Sequence, residues 1–153
     1  METKGLHTGD KLGEECGVFG IFNNDGDDSG RMTYYGLYAL QHRGQESCGI
    51  AVVDDIIVKT YKDMGLVNEV FDDDILDGLK GNIAIGHVRY SVTGGSNKIN
   101  TQPIVTKYAK GALTIAHNGN LSNASKLRME MEQRGLIFQT ASDAEILAYI
   151  IAG

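Results

Sequence analysis

Short apolar runs recur at irregular intervals along these 153 residues: GVFGIF at 17–22, IAVV at 50–53, NIAIGH at 82–87 and ALTIA at 112–116. Each has Gly, Asn or Asp at one end and is too short for a helix of three turns, so each reads as a strand. A further strand at 56–60 meets 50–53 across the turn Asp54-Asp55, and a short one is expected at 136–138. Between them lie helical patterns. Residues 31–41 place Tyr34, Leu37 and Tyr38 at i, i+3 and i+4, and 68–79 suits a helix stopped by Lys80-Gly81. Ser122 or Asn123 can cap a helix reaching Arg134, with Glu130 and Arg134 paired at i, i+4. Ser142-x-x-Glu145 forms a capping box for a last helix whose Ile146, Leu147, Ile150 and Ile151 predict burial on several faces. Irregular alternation with hairpin-like pairs predicts an α+β fold, not a doubly wound parallel sheet.

With 42% hydrophobic residues the chain can build one real core. A formal charge of −6 argues against nucleic-acid or membrane-surface partners. The acidic clusters at 25–28, 54–55 and 72–74 lack the alternating carboxylates and closing Glu of a calcium loop, and read as turns and helix starts. Two cysteines, Cys16 and Cys48, give no disulfide framework, and a reduced, cytoplasmic setting is the simpler reading. The polar start METKGLHTGD is no secretory signal, and the apolar stretch 146–152 is too short to span a bilayer. The sequence stops inside an apolar helical pattern, AYIIAG, which leads us to expect a piece of a larger domain.

Residues 1–15 show neither helical nor strand periodicity, and Cys16 stands where they give way to the first strand. A lone cysteine is most often a small buried hydrophobe. At this junction it has a second reading: removal of 1–15 as a propeptide would leave its thiol beside a free α-amine. Such an amine, with a pKa near 8, is a base able to take the thiol proton. His117-Asn118-Gly119-Asn120 carries a turn signal, and the Asn118 amide and Gly119 N–H can also converge on a developing oxyanion. Arg89 suits a substrate carboxylate or, equally, a structural ion pair. Asp143 at a helix start is favoured by the helix dipole, or serves as counter-charge to a substrate ammonium.

The polar loop QHRGQES, 41–47, is a lid or an ordinary helix-to-strand connection, with Gly44 as its hinge. Gly94-Gly95-Ser96 lacks the Lys-Ser/Thr ending of a phosphate-binding loop. The four histidines have no metal-ligand spacing with the cysteines, which speaks against zinc.

In order, ECGVFGIF, YGLYALQHRGQESCGIA, GHVRYSVTGG, QPI, IAHNGNLSN and SDAEIL resemble the glutaminase half of the amidophosphoribosyltransferase (glutamine phosphoribosylpyrophosphate amidotransferase) family. LQHRGQES is the most discriminating piece, and residues 1–15 resemble the propeptide of one branch. The resemblance implies a four-layer αββα sandwich of the N-terminal-nucleophile (Ntn) hydrolases, with residues 16–153 a partial glutaminase domain and the phosphoribosyltransferase domain absent.

It further implies Cys16 as nucleophile, Asn118 and Gly119 as oxyanion hole, Arg89 and Asp143 on the glutamine backbone groups, and Arg43 and Gly44 in the loop closing over glutamine. Ammonia would pass to phosphoribosyl pyrophosphate (PRPP), bound by the missing domain, in de novo purine synthesis. Mg2+ and a 4Fe–4S cluster are implied for the longer, homo-oligomeric enzyme, and neither for this segment. Two positions depart from the family: Val92, followed by Thr93, stands where a threonine is usual, and Cys48 where alanine is common. The alternatives are the glutaminase domain of a sugar-phosphate aminotransferase, a silent Ntn-fold fragment that only binds glutamine, and a cysteine hydrolase using His117 or His87 as base.

Overall fold

A four-stranded antiparallel sheet is the centre of the computed structural model, which describes residues 16–90 and 97–153. Its strands are β1 (Gly17–Phe22), β2 (Ser47–Asp54), β3 (Ile57–Met64) and β4 (Ile83–Arg89), in the order β1-β4-β2-β3. A hairpin of β5 (Ile104–Tyr108) and β6 (Gly111–Ile115) forms a second sheet. The helices are α1 (Ser29–Ala39), α2 (Val67–Val70), α3 (Asp73–Gly78), α4 (Ala124–Gln133) and α5 (Asp143–Ala152). Residues 1–15, 92–93 and 94–96, on which the propeptide, the Val92–Thr93 departure and the glycine turn fall, lie outside the described residues. Among the described residues no helix is long and apolar enough to cross a membrane.

Strand alternation gives the large sheet two unlike faces. On one face Cys48, Ile50, Val52, Ala84 and Val88 are buried beneath α1, joined by Leu37 of the helix and by Val67 and Leu76 of α2 and α3. Each large side chain withdrawn from water here contributes roughly 1.5–3 kcal/mol. The helix can lie so close because Gly86 has no side chain: a β-carbon there would stand 2.6 Å from Thr33 Cγ2 and 2.8 Å from Leu37 Cδ1. The other face carries Ser47, Gly49, Ala51, Ile85, His87 and Arg89 by the same register, and the β5–β6 hairpin lies on this side. A mainly apolar cavity of about 720 Å3 separates the two sheets, lined by Ala51, Val53 and Ile85 on one side and Ala112 and Thr114 on the other. Helix α5 packs on β5 and β6, completing the order helix, sheet, sheet, helix.

Several expectations need correction. The region 68–79 forms two helices because Phe71 and Asp72 are extended, and the Asp72 carboxylate accepts the Ile75 N–H at 2.8 Å to start α3 afresh. Residues 136–138 form no strand: Leu136 N–H returns to Met131 O, and Phe138 lies edge-on to Tyr149 beneath the Arg128 guanidinium. Strand β5 is an addition to the sequence reading. Its signal is the alternation of Ile104, Thr106 and Tyr108 with Val105 and Lys107 ahead of the Ala109-Lys110 turn.

The capping box at α5 is only half formed. Ser142 Oγ accepts from Ala144 N, whereas the Glu145 carboxylate turns to Gln139 N, Thr140 N and Thr140 Oγ1 at 2.7–2.8 Å. Nor is α5 buried all round: Ile146 is enclosed, but Ile150 and Ile151 are 50% and 64% exposed, since a two-stranded sheet covers one face of the helix. On α4, Glu130 stands 3.9 Å from Lys126.

Candidate active site

Cys16 directly precedes β1, and continuing the alternation of Gly17 with Val88 puts it on the face that carries His87 and Arg89. Its thiol lies against the backbone of Tyr90, 3.6 Å from the carbonyl oxygen, while Tyr90 N–H approaches the sulfur at 3.5 Å. Its carbonyl oxygen accepts from Asn118 Nδ2 at 2.5 Å and from Arg43 Nε at 3.4 Å. The end of the large sheet, the 41–44 turn and the segment after β6 therefore meet at one residue. Cys48 behaves differently: it is fully buried on the helix side of the sheet, and burial pushes its thiol up to about 12. It is the small core residue expected from its sequence context, and both cysteines are free.

Gly119 has φ 152°, in the region that favours glycine, and follows Asn118 where the chain leaves β6. Asp143, first residue of α5, accepts the Leu121 N–H at 2.8 Å, tying the helix start to the segment three residues beyond Asn118. Gly44 lies on the backbone of β4: a β-carbon there would stand 2.6 Å from the Val88 carbonyl carbon and 2.8 Å from Arg89 N. Gln41 fixes this turn from both ends, donating to Gly44 O and accepting from Val67 N.

Arg89 ends β4 with its Nε 4.0 Å from Glu46 Oε2, and the two side chains are 20% and 15% exposed. Arg89 Nη1 and both Glu46 carboxylate oxygens are buried without hydrogen-bond partners, so the guanidinium keeps a donor unspent. The ion pair weighed for Arg89 is thus present at its outer limit, and it does not exhaust the side chain. His87 is fully buried, and burial outweighs its contact with the His117 backbone and lowers the ring to about 4. Such an imidazole is a far weaker base than an ordinary histidine.

Three residues of this neighbourhood escaped the sequence reading of single positions: Gln41, Glu46 and Gln102. Gln102 is 8% exposed and holds the backbone of His117 at both polar atoms, accepting from its N–H at 2.6 Å and donating to its carbonyl at 3.2 Å. Its signal was the polar Gln beside the only proline of the chain, in a stretch otherwise read as loop. Among the described residues no group of three or more His, Cys, Asp or Glu is placed to hold a metal ion. Cys16 and Cys48 lie on opposite faces of one sheet, so these two cysteines cannot both ligate one cluster.

Two antiparallel sheets between helical layers, with a cysteine at the start of the first strand facing the gap, define an α+β fold of the Ntn-hydrolase class. A family model described as "Glutamine amidotransferase domain" matches residues 73–153, and the chain belongs to that family. It is 48% identical to the amidophosphoribosyltransferase of Synechococcus elongatus over 147 residues, 96% of this chain and 30% of that protein. The amidophosphoribosyltransferase of Bacillus subtilis is 48% identical over 141 residues, 92% and 29% of the two chains.

Among solved structures, the glutamine phosphoribosylpyrophosphate amidotransferase from B. subtilis complexed with ADP and GMP matches with TM-score 0.79 at 45% identity, over 88% of this chain and 28% of that one. A structure described as the allosteric regulatory enzyme of purine biosynthesis gives 0.82 at 47% identity, over 88% and 29%. The chain spans about 30% of the length of the curated relatives it matches.

Proposed function

We propose that this chain hydrolyses glutamine to glutamate and ammonia through Cys16. The observation that carries the reading is the meeting of Cys16 with Asn118 and the Arg43–Gly44 turn at the end of the sheet that also bears Arg89. In the reaction the Cys16 sulfur attacks the side-chain carbonyl carbon of glutamine. Asn118 Nδ2 and Gly119 N–H receive the oxyanion, and the C–N bond breaks as the amide nitrogen takes a proton and leaves as ammonia. Water then attacks the γ-glutamyl thioester, releasing glutamate and restoring the thiol. Arg89, with its unspent Nη1, holds the α-carboxylate; Asp143, with one oxygen committed to Leu121, offers the other to the α-ammonium. Arg43 and Gly44 belong to the loop that closes over the substrate.

The base is the α-amine of Cys16, which requires removal of residues 1–15 as a propeptide. The weak basicity of His87 speaks for this over a buried-histidine base. In the longer protein, ammonia passes to PRPP held by a phosphoribosyltransferase domain and displaces pyrophosphate to give 5-phosphoribosylamine, with Mg2+ serving that domain in a cytoplasmic homo-oligomer. The names of the relatives favour PRPP over a sugar phosphate as acceptor. Release of glutamate and ammonia from glutamine, measured with parent and Cys16→Ala, tests the reading. Turnover in the parent and none in the variant is the expected result, and equal turnover overturns it.

A further inference from the structure

We infer that Gln102 is a positioning residue for the oxyanion-binding segment, setting the backbone of His117 and, through it, Asn118 and Gly119. The inference rests on the glutaminase reading above and adds a residue to that machinery. The side-chain amide makes a two-point clamp: Oε1 accepts from His117 N–H at 2.6 Å and Nε2 donates to His117 O at 3.2 Å. Both polar atoms of one peptide residue are fixed by one planar group, so the direction in which the chain leaves β6 is set as well as its distance. The next two residues are Asn118, whose amide reaches Cys16, and Gly119, at φ 152°.

The clamp is itself anchored to the large sheet. Lys62 of β3 donates from Nζ to the carbonyls of Thr101 and Pro103, on either side of Gln102. The Gln102 carbonyl sits on Gly49 of β2, where a β-carbon would come within 2.3 Å of it. Position 102 is thus gripped from the sheet that presents Cys16 and passes that registration to the segment that presents Asn118. An oxyanion donor contributes only if its N–H is fixed before the charge develops. A misplacement of about 1 Å can cost on the order of 100-fold in rate.

Gln102→Met in the full chain keeps length and apolar volume and removes both hydrogen bonds. With glutamine as substrate, kcat is expected to fall about 10-fold or more while KM stays within about two-fold, because Arg89 and Asp143 are untouched. Alkylation of Cys16 by iodoacetamide, which needs no oxyanion hole, keeps the parent rate, and amide hydrogen exchange at 117–119 quickens while exchange in β1 and β4 does not. Unchanged kcat, or loss of kcat, KM and alkylation together, overturns the inference. If the parent shows no turnover, or Cys16→Ala keeps it, the glutaminase reading is what fails. The exchange rates at 117–119 then still decide whether Gln102 sets this segment, and unchanged rates overturn it.

Discussion

The side-chain amide of Asn118 donates to the carbonyl oxygen of Cys16 at 2.5 Å, joining residues 102 positions apart in sequence. That bond brings the segment after β6 to the residue that opens β1, and it uses one of the two hydrogens on Nδ2, leaving the other for the oxyanion of the proposed reaction.

Asn118→Ala is expected to lower kcat for glutamine hydrolysis by about 100- to 1,000-fold, the usual cost of one oxyanion donor, with a much smaller change in KM. Steady-state kinetics on the variant check this split. A rise in KM at constant kcat would instead make Asn118 a ground-state binding group.

His87 gives the fold a pH dependence whose sign is fixed by burial. Its folded value of about 4 lies below the ordinary 6.5, so between those values the unfolded chain binds a proton that the folded chain does not. The contribution is complete above pH 6.5 and is lost as pH falls towards 4, by roughly 3 kcal/mol in all. Urea midpoints of the parent should therefore drop between pH 7 and 4.5 more steeply than those of His87→Gln. Parallel curves would contradict the assignment.

Glu145 is 4% exposed and accepts three hydrogen bonds from Gln139 and Thr140. Glu145→Ala strands those donors and is expected to cost about 2–4 kcal/mol, and Glu145→Gln about half of that. Denaturant titration of the two variants gives the comparison.

These cases mark where the sequence is informative. Strand β1 and the core of β2 are legible because apolar runs with β-branched residues stop at Asn23 and Asp54. The seven expected site residues took their roles from the family resemblance: local chemistry gave Cys16, Asn118, Gly119, Arg89 and Asp143 two readings each, and Arg43 none of its own. Glu145 was misread for a physical reason: a capping box is a local pattern, and a carboxylate one turn into a helix can equally serve the loop before it. Gln102 and Gln41 act through backbone atoms far along the chain, and no local periodicity encodes such partners. Strand β5 was obscured by its brevity and by lysine at 107.

The most direct test of the central claim is to mix the protein with glutamine, quench in acid within a turnover and map the peptides by mass. The account predicts a γ-glutamyl group on a peptide whose first residue is Cys16, and none on the peptide bearing Cys48. Turnover with no adduct at Cys16, or an adduct on a chain still carrying residues 1–15, would contradict it.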